Sequence, residues 1–270
     1  LLLAALLLIT SALQAQAELI TAANAALARI AEANADEARD SASQVLSGTL
    51  RTLLEREDAM ALDLTGLRMS RVDAPDGRFR LLTWNVPHQD GSHRYHGLLL
   101  VQDRKRRVVH ELQDRTRSIE QPERRNLTTD QWYGALYYQV IPTRKGGRTW
   151  YTLLGWKGHS AVETRKVIEV LSFRGSTPQF GAPLFGEGRV RDLRRVYGFS
   201  FQNSMSLKWD EAGQRIVLDH LSPTKPEFAG QPAFMGPDLS YDAFVWEKDH
   251  WRFERDVDVR QLDLEKPWNR

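Results

Sequence analysis

The sequence predicts a mainly β chain, α+β overall: a helical N-terminal segment followed by an antiparallel β domain, built as a sandwich or a strongly curved sheet. Three observations carry this. Residues 18–63 are rich in Ala, Leu, Glu and Arg, all good helix formers, and contain neither Pro nor an aromatic residue. Beyond Leu64 the texture changes to short runs of Val, Ile, Tyr, Trp and Phe separated by Gly, Asp, Asn and Pro turns. The connections between those runs are tight, which favours antiparallel pairing because parallel strands need long crossovers.

The chain opens with an apolar run, Leu1 to Leu13, broken only by Thr10 and Ser11, and then Ala15-Gln16-Ala17. An apolar core followed by a small-x-small triplet is the pattern of a secretory signal peptide, here residues 1–17, with cleavage expected after Ala17. The visible run is shorter than the roughly 20 residues that span a bilayer, and the alternative is an uncleaved anchor lengthened by residues upstream of Leu1. The expectation is therefore export to the periplasm or the exterior, with no transmembrane span after cleavage. Cysteine is absent, which excludes disulfides, thiol nucleophiles and zinc-thiolate sites. With 37 basic and 35 acidic side chains the net charge is +2, too balanced for a nucleic-acid footprint. An envelope component or glycan is the expected partner.

Within 18–63, Leu19, Ala23, Ala26, Leu27 and Ile30 form one helical stripe, and Val45, Leu46, Leu50, Leu53 and Leu54 a second. Asn34 to Arg39 joins them, and Asp40 or Ser41 is placed to cap the second helix. The stripes predict a helical hairpin, or one long broken helix, covering a face or end of a sheet.

The β domain, 64–270, reads as ten or eleven strands. They include "GRFRLLTWNV", "RYHGLLLVQD", "RRVVHELQD", "QWYGALYYQVIPT", "TWYTLLGW", "TRKVIEVLSF", "RRVYGFSF", "SMSLKWD", "QRIVLDHL", "YDAFVWEKD" and "HWRFERDVDVR". Trp recurs near strand ends before polar turns, so an incomplete propeller-like arrangement is the alternative architecture. Charges on both faces of several strands argue against a transmembrane barrel.

The string "DGRFRLLTWN", "YHGLLLVQ", "WYGALYYQVI", "YTLLGWKG", "TRKVIEVLSF", "PQFGAPLF", "RIVLDHLSP", "GPDLSYDAF", "DVDVR" resembles an uncharacterised family of exported bacterial proteins best represented in Bacteroidetes. The likeness spans roughly residues 64–260. It implies export and a mostly β fold, and it brings no activity with it.

The candidate chemistry lies mainly at the C-terminal end. Asp219, Asp238, Asp242, Asp256 and Asp258 are the candidate metal ligands, with Ca²⁺ the cation that suits an all-oxygen set. His220, Asp238, Tyr241 and Asp242 are the candidate ligand-binding residues. The competing reading has Asp238 and Asp242 closing turns through side-chain-to-backbone bonds and the remaining aspartates pairing with Arg252, Arg255 or Arg260. Elsewhere, His88, His93 and His96 lack metal spacing and read as turn residues. Gly158-His159-Ser160 lacks a nucleophile elbow and reads as a hairpin turn. Arg104 to Arg107, and Arg191, Arg194 and Arg195, are basic clusters that read as solvated edges or, alternatively, as contacts for anionic glycans, lipid headgroups or nucleic acid, envelope polyanions before nucleic acid; Arg165 with Lys166 reads as a solvated edge. Two functional readings follow: a non-enzymatic, envelope-associated binding or structural module, or a carboxylate-dependent hydrolase of an envelope polymer, assisted by calcium.

Overall fold

The computed structural model describes residues 2–104, 106–186 and 191–259, with side chains from residue 13 onward. Two helices, α1 (Leu2–Glu32) and α2 (Asp36–Glu55), form the expected hairpin. Ala42, Leu46, Leu50, Leu53 and Leu54 are buried along one face of α2, and Ala23, Ala26 and Ile30 meet them from α1. Val45 departs from its predicted stripe and is exposed, because the packed face runs one step around the helix. The helix also begins earlier than its expected caps: Ala35 precedes it without a side-chain cap, and Asp36 and Glu37 lie in the first turn, where carboxylates favour the positive helix end. Of the expected leader, the side chains through residue 12 lie outside the described residues. Among the described residues no helix is long and apolar enough to cross a membrane.

Thirteen strands follow among the described residues, in three antiparallel sheets laid out in chain order. The first holds β1 (Ser70–Asp73), β2 (Phe79–Pro87), β3 (His93–Asp103) and β4 (Arg106–Gln113). The second holds β5 (Leu136–Lys145), β6 (Arg148–Gly158), β7 (Glu163–Arg174), β8 (Thr177–Phe180) and β9 (Arg195–Ser200). The third holds β10 (Leu207–Asp210), β11 (Arg215–Pro223), β12 (Met235–Glu247) and β13 (His250–Glu254). Strands β1 and β8, four residues each, had no counterpart in the sequence reading.

Face-to-face sandwich packing occurs twice, and the period-two alternation of the strands explains how. Leu82, Trp84, Leu98 and Leu100 face the helices, while Phe79, Leu81, Leu99 and Val101 face the second sheet. In the second sheet, Leu153, Val167 and Leu171 point back to the first, and Leu154, Ile168 and Val170 point on to the third. Ile216, Leu218, Phe244 and Trp251 close that last core. The inner two sheets are thus buried on both faces, which is why β3 and β7 read as near-continuous apolar runs.

The central hairpin is β6 and β7, joined through His159 to Val162, with Tyr151 opposite Leu171 and Gly158 opposite Thr164. The long β7 pairs with β9 through its first half and with β8 through its second. Two basic stretches correct the expectation of solvated edges. Arg194 is fully buried: its Nε donates to Glu169 Oε2 at 2.7 Å, and its other nitrogens donate to the carbonyls of Pro122, Arg125 and Phe180. Arg165 is half-buried, donating to Glu163 Oε1 (2.6 Å) and to the Tyr133 hydroxyl (2.6 Å). Of the Arg104–Arg107 tip, Lys105 lies outside the described residues, and Arg107 donates to the carbonyls of Arg56 and Glu57 just past α2.

Candidate functional site

Strands β11 and β12 pair regularly until a bulge. Asp219 is opposite Tyr241 and Leu221 is opposite Pro237, so His220 alone faces the three residues Asp238, Leu239 and Ser240. A bulge of this kind re-aims side chains locally. Leu239 takes a left-handed backbone (φ 74°) and is 90% exposed. The Asp238 carboxylate closes the bulge by accepting the Ser240 N–H (3.1 Å) and the hydroxyls of Ser240 (2.7 Å) and Ser222 (2.6 Å). The Ser222 and Ser240 hydroxyls hold its pKa down at about 2.

The bulge turns His220 toward Asp242, and its Nδ1 lies 2.8 Å from Asp242 Oδ2. Asp242 is buried, and its other oxygen accepts the Asp256 N–H at 3.3 Å. On the far side, His220 Nε2 is 4.0 Å from Asp238 Oδ2. The imidazole therefore sits between two carboxylates, bonded to one. A cavity of about 380 Å³ opens beside it, between β9 and the β11–β12 pair. Its wall includes Arg195, Tyr197, Asp219, Asp242 and Arg255, with Leu221, Pro232 and Met235 as apolar surface.

Two buried polar atoms, the Tyr197 hydroxyl and Arg195 Nε, belong to residues of that wall and are neighbours, with the Arg195 guanidinium 5.7 Å from the centre of the Tyr197 ring. Burial pushes the Tyr197 hydroxyl up to about 12, with the neighbouring Arg195 pulling the other way. Arg195 is otherwise engaged through Nη1, which donates to Asp192 Oδ2 at 2.5 Å.

Of the residues singled out from sequence, the structure brings His220, Asp242 and Asp219 to the cavity and leaves Asp238 at its margin. Tyr241 points to the opposite face from Asp242, as neighbours on a strand must. Asp219 caps the Ser206 N–H at 2.7 Å. Asp256 contributes its backbone, and Asp258 offers its carbonyl to Arg215 Nη2 at 3.0 Å. Among the described residues no group of three or more His, Asp or Glu side chains is placed to hold a metal ion. Of the five carboxylates expected as a calcium set, Asp238 closes a turn, Asp219 caps a backbone N–H and Asp242 pairs with the imidazole. Sequence reasoning missed Tyr197, and it singled out Arg195 only as part of a basic cluster. The available signal was "RRVYGFSF" itself, where Arg195 and Tyr197 alternate onto one face of a strand.

Comparison with known protein families, with curated proteins and with solved structures returns no match.

Proposed function

We propose that this chain is an exported, envelope-associated binding protein whose pocket beside His220 takes an acidic saccharide. One observation carries the reading: two guanidinium groups and an imidazole, those of Arg195, Arg255 and His220, share one cavity wall with the apolar surface of Leu221, Pro232 and Met235. Arg195, Arg255 and His220 suit a carboxylate, and Leu221, Pro232 and Met235 suit the apolar face of a sugar ring. The apolar leader pattern at residues 1–17 and the resemblance to exported bacterial proteins support the location.

Calorimetric titration with an oligogalacturonide tests the site. Binding is expected to weaken about tenfold on Tyr197→Phe and by at least as much on His220→Ala, with neutral oligosaccharide inert. Equal affinity in both variants, or no heat with the intact protein, overturns the reading.

The hydrolase alternative has one observation in its favour, an imidazole flanked by Asp238 and Asp242. Ser222 and Ser240, the hydroxyls at the bulge, both donate to Asp238 rather than to His220, so the hydrogen bond that would activate either is missing. Release of reducing ends from the same oligosaccharide, lost in Asp242→Asn, would establish that alternative.

A further inference from the structure

We propose that the cleft above Lys157 is a second ligand site, one that binds a phosphate group, independent of the pocket at His220. The cleft has a volume of about 560 Å³ and lies where the start of β3, the segment after β4 and the end of β6 converge.

Lys157 is the penultimate residue of β6 and is only 1% exposed. Its Nζ donates to the Gly134 carbonyl (2.6 Å) and to Thr116 Oγ1 (2.8 Å). It also stands 4.2 Å from the centre of the Tyr95 ring and 4.7 Å from that of Tyr133. Ring faces and neutral oxygens solvate an ammonium but do not neutralise it, and a buried charge is costly unless paired. The charge of Asp114 acts on it only at one remove: Asp114 accepts the Thr116 hydroxyl (2.5 Å) that itself accepts from Nζ, along with the Tyr95 N–H (3.0 Å) and the Thr116 N–H (2.9 Å). No carboxylate forms an ion pair with Lys157 among the described residues.

The remainder of the cleft is also poor in anions. Arg115 and Arg117 stand exposed at the rim; Arg115 donates to Gln113 Oε1 at 3.1 Å and Arg117 to Ser92 Oγ at 3.1 Å. Asp90, itself exposed, is 3.9 Å from Arg117. His93 and His159 form part of the wall, and burial lowers the pKa of both, His159 to about 4, so each is a neutral imidazole at pH 7. Two exposed guanidinium groups, each held by a neutral side chain, beside a buried ammonium match the several oxygens and double charge of a phosphate better than a single carboxylate.

The site has a proton signature. Burial brings the Lys157 ammonium down to about 7; Asp114 opposes this and Arg165 adds to it. The groups facing Lys157 are Asp114, Arg165, the Tyr95 and Tyr133 rings, and His93 and His159. A bound dianion favours the charged lysine, so binding above pH 7 draws a proton onto Nζ.

The test is titration of the intact protein with inorganic phosphate at pH 8, in two buffers of different ionisation enthalpy, against chloride at matched ionic strength. Phosphate is expected to bind with net proton uptake. The surface variants Arg115→Ala and Arg117→Ala are each expected to weaken binding about tenfold. Lys157→Met is expected to abolish the proton uptake, and phosphate binding by Tyr197→Phe should match that of the intact protein. Absence of phosphate binding, binding unaffected by both arginine variants, or acetate binding as tightly as phosphate would overturn the proposal. Should Lys157→Met not fold, the arginine variants and the two-buffer comparison decide the matter alone.

Discussion

Single residues in this protein are governed by how burial sets their charge. Glu169 and Arg194 form an ion pair with both side chains fully buried. Burial raises the Glu169 carboxyl and Arg194 opposes that rise. Removing one partner leaves the other charge uncompensated, whereas removing both leaves an apolar gap between two sheets. Arg194→Met is therefore expected to cost about 3–5 kcal/mol, and Glu169→Leu with Arg194→Met distinctly less, measured by urea unfolding. The three histidines His93, His96 and His159 have pKa values lowered chiefly by burial. A base whose folded pKa lies below its unfolded value of about 6.5 binds more protons when unfolded, so stability falls as pH drops. For His159 the window runs from about 6.5 down to about 4. Denaturant midpoints at stepped pH should fall across that window, and His159→Gln should flatten the fall; an unchanged slope in that variant would remove His159 from the account. Lys157 has the same sign at higher pH, its stability contribution rising between about 7 and 10.5.

At the scale of elements, the two helices act as a lid on the outer face of the first sheet. Leu50 is fully buried there and Val45 is exposed, although the two sit on neighbouring turns. Leu50→Ala is expected to cost about 2–5 kcal/mol, and Val45→Ala to stay within about 0.5 kcal/mol, by thermal or urea unfolding. Comparable costs at both sites would mean that the helices pack differently. Trp84 ties the lid down further, donating from Nε1 to the buried Ser43 hydroxyl at 2.8 Å. On the other side of the molecule, the bulge between Asp219 and Leu221 decides the candidate site. A regular ladder would hold Asp238 and Asp242 to fixed register positions, and only the one-against-three mismatch sets His220 between them.

Across the whole molecule the layers follow chain order: helices, first sheet, second sheet, third sheet. Contacts between neighbouring layers are apolar, with a few buried polar ties such as Trp251 Nε1 donating to Thr152 Oγ1 at 3.0 Å. Both candidate sites fall at seams of this stack. The His220 pocket lies where β9 of the second sheet meets the third, and the Lys157 cleft where the first sheet meets the second.

That placement separates what was legible in the sequence from what was not. Local chemistry determined the two helices from Ala- and Leu-rich stripes, most strands from their apolar runs, the Gly158-His159-Ser160 turn, and the aspartates that close turns. Strand alternation likewise sets Tyr137 and Tyr138 apart: Tyr137 is fully buried, and Tyr138 is 40% exposed with Lys166 over its ring. These are consequences of periods 3.6 and 2, which act between neighbours in sequence. The tertiary structure alone decided which face of each strand meets which layer, that Arg194 is a core residue, that Tyr197 and Arg195 open into the same pocket as His220, and that Lys157 is buried without a carboxylate. Those outcomes depend on contacts between segments many residues apart, where the cost of desolvating a charge is set by what the fold packs around it.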